Sequence, residues 1–460
     1  MRIKEVRIKG LFGMFDHIIP LNLDTHLSII YGINGIGKTT VFKMLEYVFN
    51  FNAEYKDTNF SYLEDISFQK IEILFEDDTT FKFIKNKEYI NIFIKNETKK
   101  ISTLSIFSSM ETSMLPNISM KEKWAEFFLE FDEKRVTSLE RIDYDTFLDK
   151  ASNENLSLED VFNKYSDRFF STPRANWKRF NNVKELPKEH IDVIKSLNIY
   201  RIGVERLTTL VENTDSSGMT NIRKVNSIEY CTQEFSNLIK KKNTEYTDLT
   251  KSLESSLGKR ILSKEINTNL DKEALKKIVF EVQKRRSELQ KIGLIESLEQ
   301  ENLTIPDDLD SGTQAVLSVS FQDIQTKLKI FDEFYEKLTL FLDILNQRRF
   351  SFKQISVNQQ DGFLITNDNG VKIELTDLST GEQHELILLY LLLFKAPENS
   401  LILIDEPETS LHIDWQAAFL KDMEDIIKLR KFDVLISTHS PSIVSGRREL
   451  TIPLYGKKYE

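Results

Sequence analysis

A single cysteine in 460 residues, Cys231, leaves no intramolecular disulfide and no cysteine zinc site, the usage of a chain that matures in a reducing compartment. Proline and glycine are scarce, at 9 and 15 residues, which argues against long disordered linkers. No apolar run approaches the roughly 20 residues that cross a bilayer. The most apolar stretch, Leu386 to Phe394, reads instead as a buried helix. No apolar run follows a basic start at the N-terminus, so no secretory leader is expected. A cytoplasmic protein without membrane attachment is the resulting expectation. Positive charge is also short. The net charge of −10 provides no overall basic footprint for nucleic acid. The clusters Lys240-Lys241-Lys242 and Lys284-Arg285-Arg286 read as solvated helix faces. The six histidines, His17, His26, His190, His384, His412 and His439, form no sequence-local metal cluster.

What is present is 40% hydrophobic and 29% charged, in a chain long enough for two or three structural units. The opening apolar positions Ile3, Val6 and Ile8 suggest a strand, and Leu27 to Tyr31 a second one leading into a glycine loop. After the loop, Val41, Met44, Leu45 and Val48 carry helical spacing. Between 67 and 95 the period falls to two, with Ile71, Ile73 and Phe75, then Phe81 and Phe83, then Ile90, Ile92 and Ile94, which predicts an antiparallel meander. From about residue 118 the pattern turns helical, and Ser157-Leu158-Glu159-Asp160 before Val161 and Phe162 resembles a capping box. A short strand over Leu197 to Ile202 interrupts it. Leu317, Phe321, Ile324, Leu328, Phe331, Tyr335, Leu338, Leu342 and Leu345 then alternate steps of four and three, an a/d seam on a helix roughly 45 Å long. Leu275, Val279, Val282, Arg286 and Leu289 supply a weaker partner seam, with Gly258 and Pro306-Asp307-Asp308 as breaks between arms. An intramolecular helical hairpin is favoured over a dimerising coiled coil. After 350 come strands near 352–357, 363–365 and 371–375, then helix 379–396, strand 401–405, helix 412–429 and strand 432–437, the alternation of a parallel sheet with covering helices. A last strand is expected at Leu450 to Leu454.

Three motifs carry chemistry. Gly32-Ile33-Asn34-Gly35-Ile36-Gly37-Lys38-Thr39 lies between a strand and a helix, where successive backbone N–H groups and the helix N-terminus hold phosphates. Gly32, Asn34, Gly35, Gly37, Lys38, Thr39 and Thr40 are its candidate ATP-binding residues. Lys38 reaches the β- and γ-phosphates, and the Thr39 hydroxyl ligates Mg²⁺. Leu401-Ile402-Leu403-Ile404 forms a buried strand ending in Asp405, a candidate Mg²⁺ ligand, and Glu406, a candidate base for the attacking water. Leu378-Ser379-Thr380-Gly381-Glu382-Gln383 opens an apolar helix, with Ser379 or Thr380 as its cap and a second anion site at its N-terminus. The cofactors expected are therefore ATP and Mg²⁺.

The order of these motifs, completed by Ser437-Thr438-His439-Ser440 after the last long strand, resembles ABC-type ATPases of the SMC, Rad50, RecF and OLD branch. The resemblance covers roughly 1–95 and 350–445. It implies an α/β fold: an ABC-type P-loop ATPase head, with a mixed sheet plus an antiparallel meander and a helical, partly coiled-coil insertion. The corresponding divisions are 1–110, 111–349 and 350–460, with the strand near 197–203 belonging to the head. It implies that Ser379, Thr380, Gly381 and Glu382 form the signature turn, completing the nucleotide site of a second copy in a homodimer or higher homo-oligomer. His439 matches the switch histidine, catalytic alongside Glu406. Glu205, in Gly203-Val204-Glu205-Arg206, stands where the Q-loop is expected, with Gln69 as the other candidate.

The long insertion argues against a transporter, and neither a paired-cysteine hook nor an acidic metal domain after His439 is found. A nuclease activity of its own is therefore not expected. Met1-Arg2-Ile3-Lys4, Ile8-Lys9-Gly10-Leu11-Phe12-Gly13 and Phe15-Asp16-His17 are similar to the ATPase subunit of bacterial Septu-type antiphage systems, with the PARIS-type defence ATPase as the runner-up. That resemblance implies an ATPase partnering a separate HNH nuclease subunit, with DNA reached through the complex. The alternatives are a RecF- or Rad50-like repair ATPase that grips duplex DNA, and a slow nucleotide-gated scaffold.

Overall fold

The protein is described by a computed structural model covering residues 1–49, 61–85, 89–96, 99–107, 139–143, 146–149, 154–157, 188–214, 220–263, 271–295, 305, 310–409, 411–444 and 446–454. The chain divides into two compact units. One comprises Met1–Pro20, Lys43–Leu197 and Tyr455–Glu460; the other comprises Leu21–Phe42 and Asn198–Leu454.

The first unit is built on a six-stranded antiparallel sheet, in the order Phe15–Pro20, Ile3–Leu11, Lys70–Phe75, Thr80–Lys85, Tyr89–Asn96 and Lys99–Phe107. Its inner face follows from the period-two pattern. Ile73 pairs with Phe81 and Ile71 with Phe83, then Phe81 with Ile94 and Phe83 with Ile92, giving a ladder of apolar cross-strand pairs. Phe49 meets Phe75 and Phe81 edge-on. Gly10, at the register irregularity of the first hairpin, has φ +67°, and a Cβ there would lie 2.7 Å from the Gln69 side chain. Three short strands, Leu139–Asp143, Thr146–Asp149 and Glu154–Ser157, form a separate antiparallel sheet within the stretch whose pattern reads as helical. Strands of four or five residues are too short to establish a period, so hairpin pairing decides them. Ser157 closes the last of these strands, and the rest of the expected capping box lies outside the described residues, which resume at 188.

The second unit holds a five-stranded, wholly parallel sheet, in the order Asn198–Ile202, Ser400–Asp405, Asp433–Thr438, Leu27–Tyr31 and Thr451–Pro453. Its middle strands are apolar along their length, as parallel strands covered on both faces must be. Register fixes what lies at the carboxyl edge. Asp405 is level with Ser437, Thr438 with Tyr31, and Ile202 with Ile404.

The a/d seam runs through this unit's core, but not on one uninterrupted helix. Helix Ser311–Leu328 passes through a 3₁₀ turn at Lys329–Phe331 into helix Asp332–Asp343 and a π-helical turn at Ile344–Arg349. Phe331, Leu338 and Leu345 are fully buried, as is Phe341, which with buried Phe334 lies off the heptad register. The stripe is thus wide enough to pack on a globular core. Leu275, Val279, Val282 and Leu289 are buried on helix Lys272–Lys291, which packs against Ser311–Leu328. Gly258 breaks nothing. It sits inside the 37-residue helix Ser227–Ser263 with open space where a Cβ would be. Pro306 to Asp308 lie outside the described residues. Arg285 is a strut rather than a solvated charge, bonded to Asp332 at 2.7 Å and lying over the Tyr335 ring. No helix among the described residues is long and apolar enough to cross a membrane.

Candidate functional site

The glycine loop joins the strand Leu27–Tyr31 to the helix Lys38–Phe49. Gly35 and Gly37 have φ of +83° and +97°, which side chains with a Cβ rarely adopt. These angles give the loop its tight path, on which Ile33, Asn34 and Gly35 are exposed. Lys38 is buried and folds back over the loop, with Nζ donating to the Gly32 carbonyl at 2.8 Å and the Ile33 carbonyl at 3.2 Å. An ammonium so placed holds the loop open around its own charge. Thr39 and Thr40 follow on the first helical turn, both half-buried.

Opposite this loop on the same sheet edge stands Asp405. Its Oδ1 accepts from the Ser437 hydroxyl, while its Oδ2 is buried with no hydrogen-bond partner. A carboxylate oxygen left unpaired at the end of a buried strand costs desolvation energy unless something else binds it, and a hydrated divalent cation fits that need. No group of three or more histidine, cysteine, aspartate or glutamate side chains able to hold a metal occurs among the described residues. A cation here would thus lean on Asp405, the Thr39 hydroxyl and phosphate oxygens.

Glu406 follows at φ +44°, a left-handed conformation that is strained for a residue with a Cβ. Its N–H donates to the Ser437 carbonyl at 2.9 Å. His439 is exposed, and its Nδ1 lies 3.6 Å from Glu406 Oε1 and 3.0 Å from Glu408 Oε1. Glu408, to which the sequence alone gives no role, organises the turn. Its Oε1 accepts from Thr438 Oγ1 at 2.7 Å, His439 N–H at 2.8 Å and Ser440 N–H at 3.2 Å. One carboxylate thereby fixes the backbone that carries the histidine. The signal was available: an acid two residues beyond Glu406, in a Pro407-Glu408-Thr409 turn.

Ser379, not Thr380, caps the helix Thr380–Tyr390, in a reciprocal capping box with Glu382. The Ser379 N–H and hydroxyl both donate to Glu382 Oε2, at 2.9 and 2.8 Å. Lys353 donates to both Glu382 oxygens at 2.7 Å. Burial pushes the Glu382 carboxyl up, but the bonds from Lys353 and Ser379 outweigh it and hold it below the usual range. Ser379 and Thr380 are exposed, and Gly381 is half-buried. The bonding partners of the Ser379 and Glu382 side chains are each other and Lys353, and among the described residues neither bonds the glycine loop. Glu205 is exposed, as is Gln69 in the first unit, whereas the neighbouring Arg206 is buried against the Asp405–Glu406 backbone.

Beneath these groups lies a buried ionic network. Arg349 bonds Glu385 at 2.7 Å and also Asp422, and all three are almost fully buried. Burial raises the Glu385 carboxyl against the opposing pull of Arg349. Burial likewise lowers His384, aided by the charge of Arg206.

The family model for the AAA ATPase domain matches residues 1–444. The chain belongs to the AAA ATPase domain family. It is 33% identical over 84 residues to a probable iron chelatin transport ATP-binding protein of Helicobacter pylori, a match covering 18% of this chain and 32% of that one. It is 33% identical over 91 residues to protein ea59 of Escherichia phage lambda, covering 20% and 17% respectively. The chain thus spans about a third or less of the length of these relatives. Among solved structures it is similar to the Smc head domain with an extended coiled coil bound to the C-terminal domain of ScpA, derived from Pyrococcus furiosus. That likeness has a TM-score of 0.32 and 12% identity, over 99% of this chain and 96% of the other. The SMC head domain from Thermotoga maritima gives a TM-score of 0.29 and 12% identity, over 98% and 92%.

Proposed function

We propose that this ATPase-family chain binds and hydrolyses ATP with Mg²⁺, and that its nucleotide state controls a separate HNH-type nuclease in an antiphage complex. The observation that supports hydrolysis best is the shared sheet edge. It gathers Lys38 on the loop carbonyls, Asp405 with one oxygen orphaned, and Glu406 beside His439. Lys38 exchanges its carbonyl partners for phosphate oxygens, and the loop N–H groups bind the remaining charge. Thr39 and Asp405 would hold Mg²⁺, which supplies charge neutralisation between the phosphates. Glu406 polarises the attacking water and accepts its proton, and His439 steadies the γ-phosphate side.

The exposed Ser379-Thr380 turn, whose Ser379 side chain bonds Glu382, supports a site completed by a second copy of the chain. Head pairing would then depend on bound ATP. The insertion helices would transmit that state to the nuclease partner, and DNA would be reached through the complex.

Two variants test the site. Glu406→Gln is expected to keep ATP binding, accumulate the ATP-bound dimer by mass measurement, and lose about 10²–10⁴-fold in turnover. Unchanged turnover would remove Glu406 as the base, and K38A should lose nucleotide affinity. Co-purification with a small HNH protein tests the complex. ATPase activity stimulated by duplex DNA in the absence of any partner, and weakened by salt, would favour the repair-type reading instead.

A further inference from the structure

Arg206 is only 4% exposed, yet its hydrogen bonds run to backbone carbonyls. Its Nε donates to the Gly203 carbonyl at 2.8 Å, while Nη2 reaches the carbonyls of Asp405 at 3.1 Å and Glu406 at 3.4 Å. Its Nη1 is buried with no partner. A guanidinium is costly to desolvate, and one that spends its donors on backbone carbonyls is fixing that backbone. The backbone in question is the least relaxed part of the site. Glu406 sits at φ +44°, where its Cβ crowds the carbonyl, and such a conformation persists only if its surroundings over-determine it. From one side the Ser437 carbonyl takes the Glu406 N–H, and the Thr409 N–H bonds the Glu406 carbonyl at 3.2 Å. Arg206 supplies the remaining restraint from the segment that follows the strand Asn198–Ile202, next in the sheet. Burial brings its own pKa down to about 10, opposed by the charges of Glu385, Asp405 and Glu408. Its charge thus also faces the helix that Ser379 caps, through Glu385 and His384.

We infer that Arg206 is a positioning residue for hydrolysis: its planar fork clamps the Asp405 and Glu406 carbonyls and holds Glu406 in the left-handed conformation that aims its carboxylate. This rests on the reading of Glu406 as the base. Arginine is required because one flat group must span two successive carbonyls while anchored at Gly203. A lysine carries the charge but not the fork.

The full-length chain with Arg206→Ala and Arg206→Lys decides it, assayed for ATP affinity, kcat and melting. Both variants should bind ATP within a few-fold of the native protein while kcat falls about 100-fold, the scale of misplacing a catalytic group. Millimolar guanidinium should restore part of kcat to R206A and none to E406Q, a rescue that a merely structural role would not show. If R206A fails to fold, R206K carries the test. A folded R206K with native kcat overturns the inference, as does a fall in kcat matched by an equal loss of ATP affinity. If R206K keeps native kcat while E406Q loses turnover, only the Arg206 assignment has failed. If E406Q retains turnover, the base assignment has failed instead.

Discussion

The carboxyl edge of the parallel sheet and the helical seam lie in the same unit and follow opposite rules. At the sheet edge, polar atoms of Asp405, Glu408 and Arg206 are buried without partners, and Glu406 is held at positive φ. Along the seam, Phe331, Leu338, Phe341 and Leu345 are fully buried apolar groups. The charges flanking it, such as Arg285 with Asp332 and Arg260 with Asp323, are paired near the surface. The seam is built for stability, and its ion pairs add little because solvent screens them. The edge gives up stability, and an orphaned oxygen or a strained backbone is useful where a ligand will later satisfy it. The Arg349–Glu385–Asp422 network lies between these extremes, buried like the edge but ion-paired through Arg349, with Glu385 Oε2 still unbonded.

Breaking that intermediate network should have the largest effect. R349A takes the cation from buried Glu385 and leaves Asp422 with Arg348 alone, and about 3–5 kcal/mol of stability should be lost in denaturant unfolding. A loss below about 1 kcal/mol would show that water reaches the network and that it belongs with the surface pairs. Next comes the seam. L338A should cost about 3 kcal/mol through the cavity left at a fully buried position, while kcat of the folded fraction stays native. A change in kcat would make the seam part of the catalytic machinery and erase the contrast.

The smallest effect concerns the Ser379 turn and is read by pH. The folded Glu382 pKa is lowered, so on acidification the unfolded chain takes up the proton first. The contribution is therefore complete above the ordinary value of 4.5 and is lost as pH falls through the lower folded value. E382Q should flatten the dependence of melting temperature on pH in that acid range and leave it unchanged near neutrality. A steeper acid dependence in E382Q would refute the assignment.

Much of the edge was legible because its residue types are unusual and its order is constrained. A glycine loop between strand and helix, and two acids ending an apolar strand, carry their chemistry in local spacing. Arg206 and Lys353 were not legible, and Glu408 was overlooked despite its turn, for different reasons. Glu408 was hidden behind a more conspicuous acid. Arg206 lies 199 residues before Asp405, whose carbonyl it bonds, and only the pairing of Asn198–Ile202 with Ser400–Asp405 joins them. Lys353 is a lone lysine at a strand start, and no spacing marks it as the partner of Glu382.

By itself, the sequence determined the periods and the punctuation of this protein. The meander came from its alternating Ile and Phe, the buried seam from its four-three steps, and the phosphate loop from its glycines, because each depends on neighbours a few residues apart. Tertiary structure alone decided which strand lies beside which. It set Asp405 level with Ser437, placed Arg206 under Glu406, and bent the seam through a 3₁₀ turn onto a core instead of extending it as an arm. Those outcomes depend on burial and pairing between distant segments, and a local pattern carries no information about the surface it will meet.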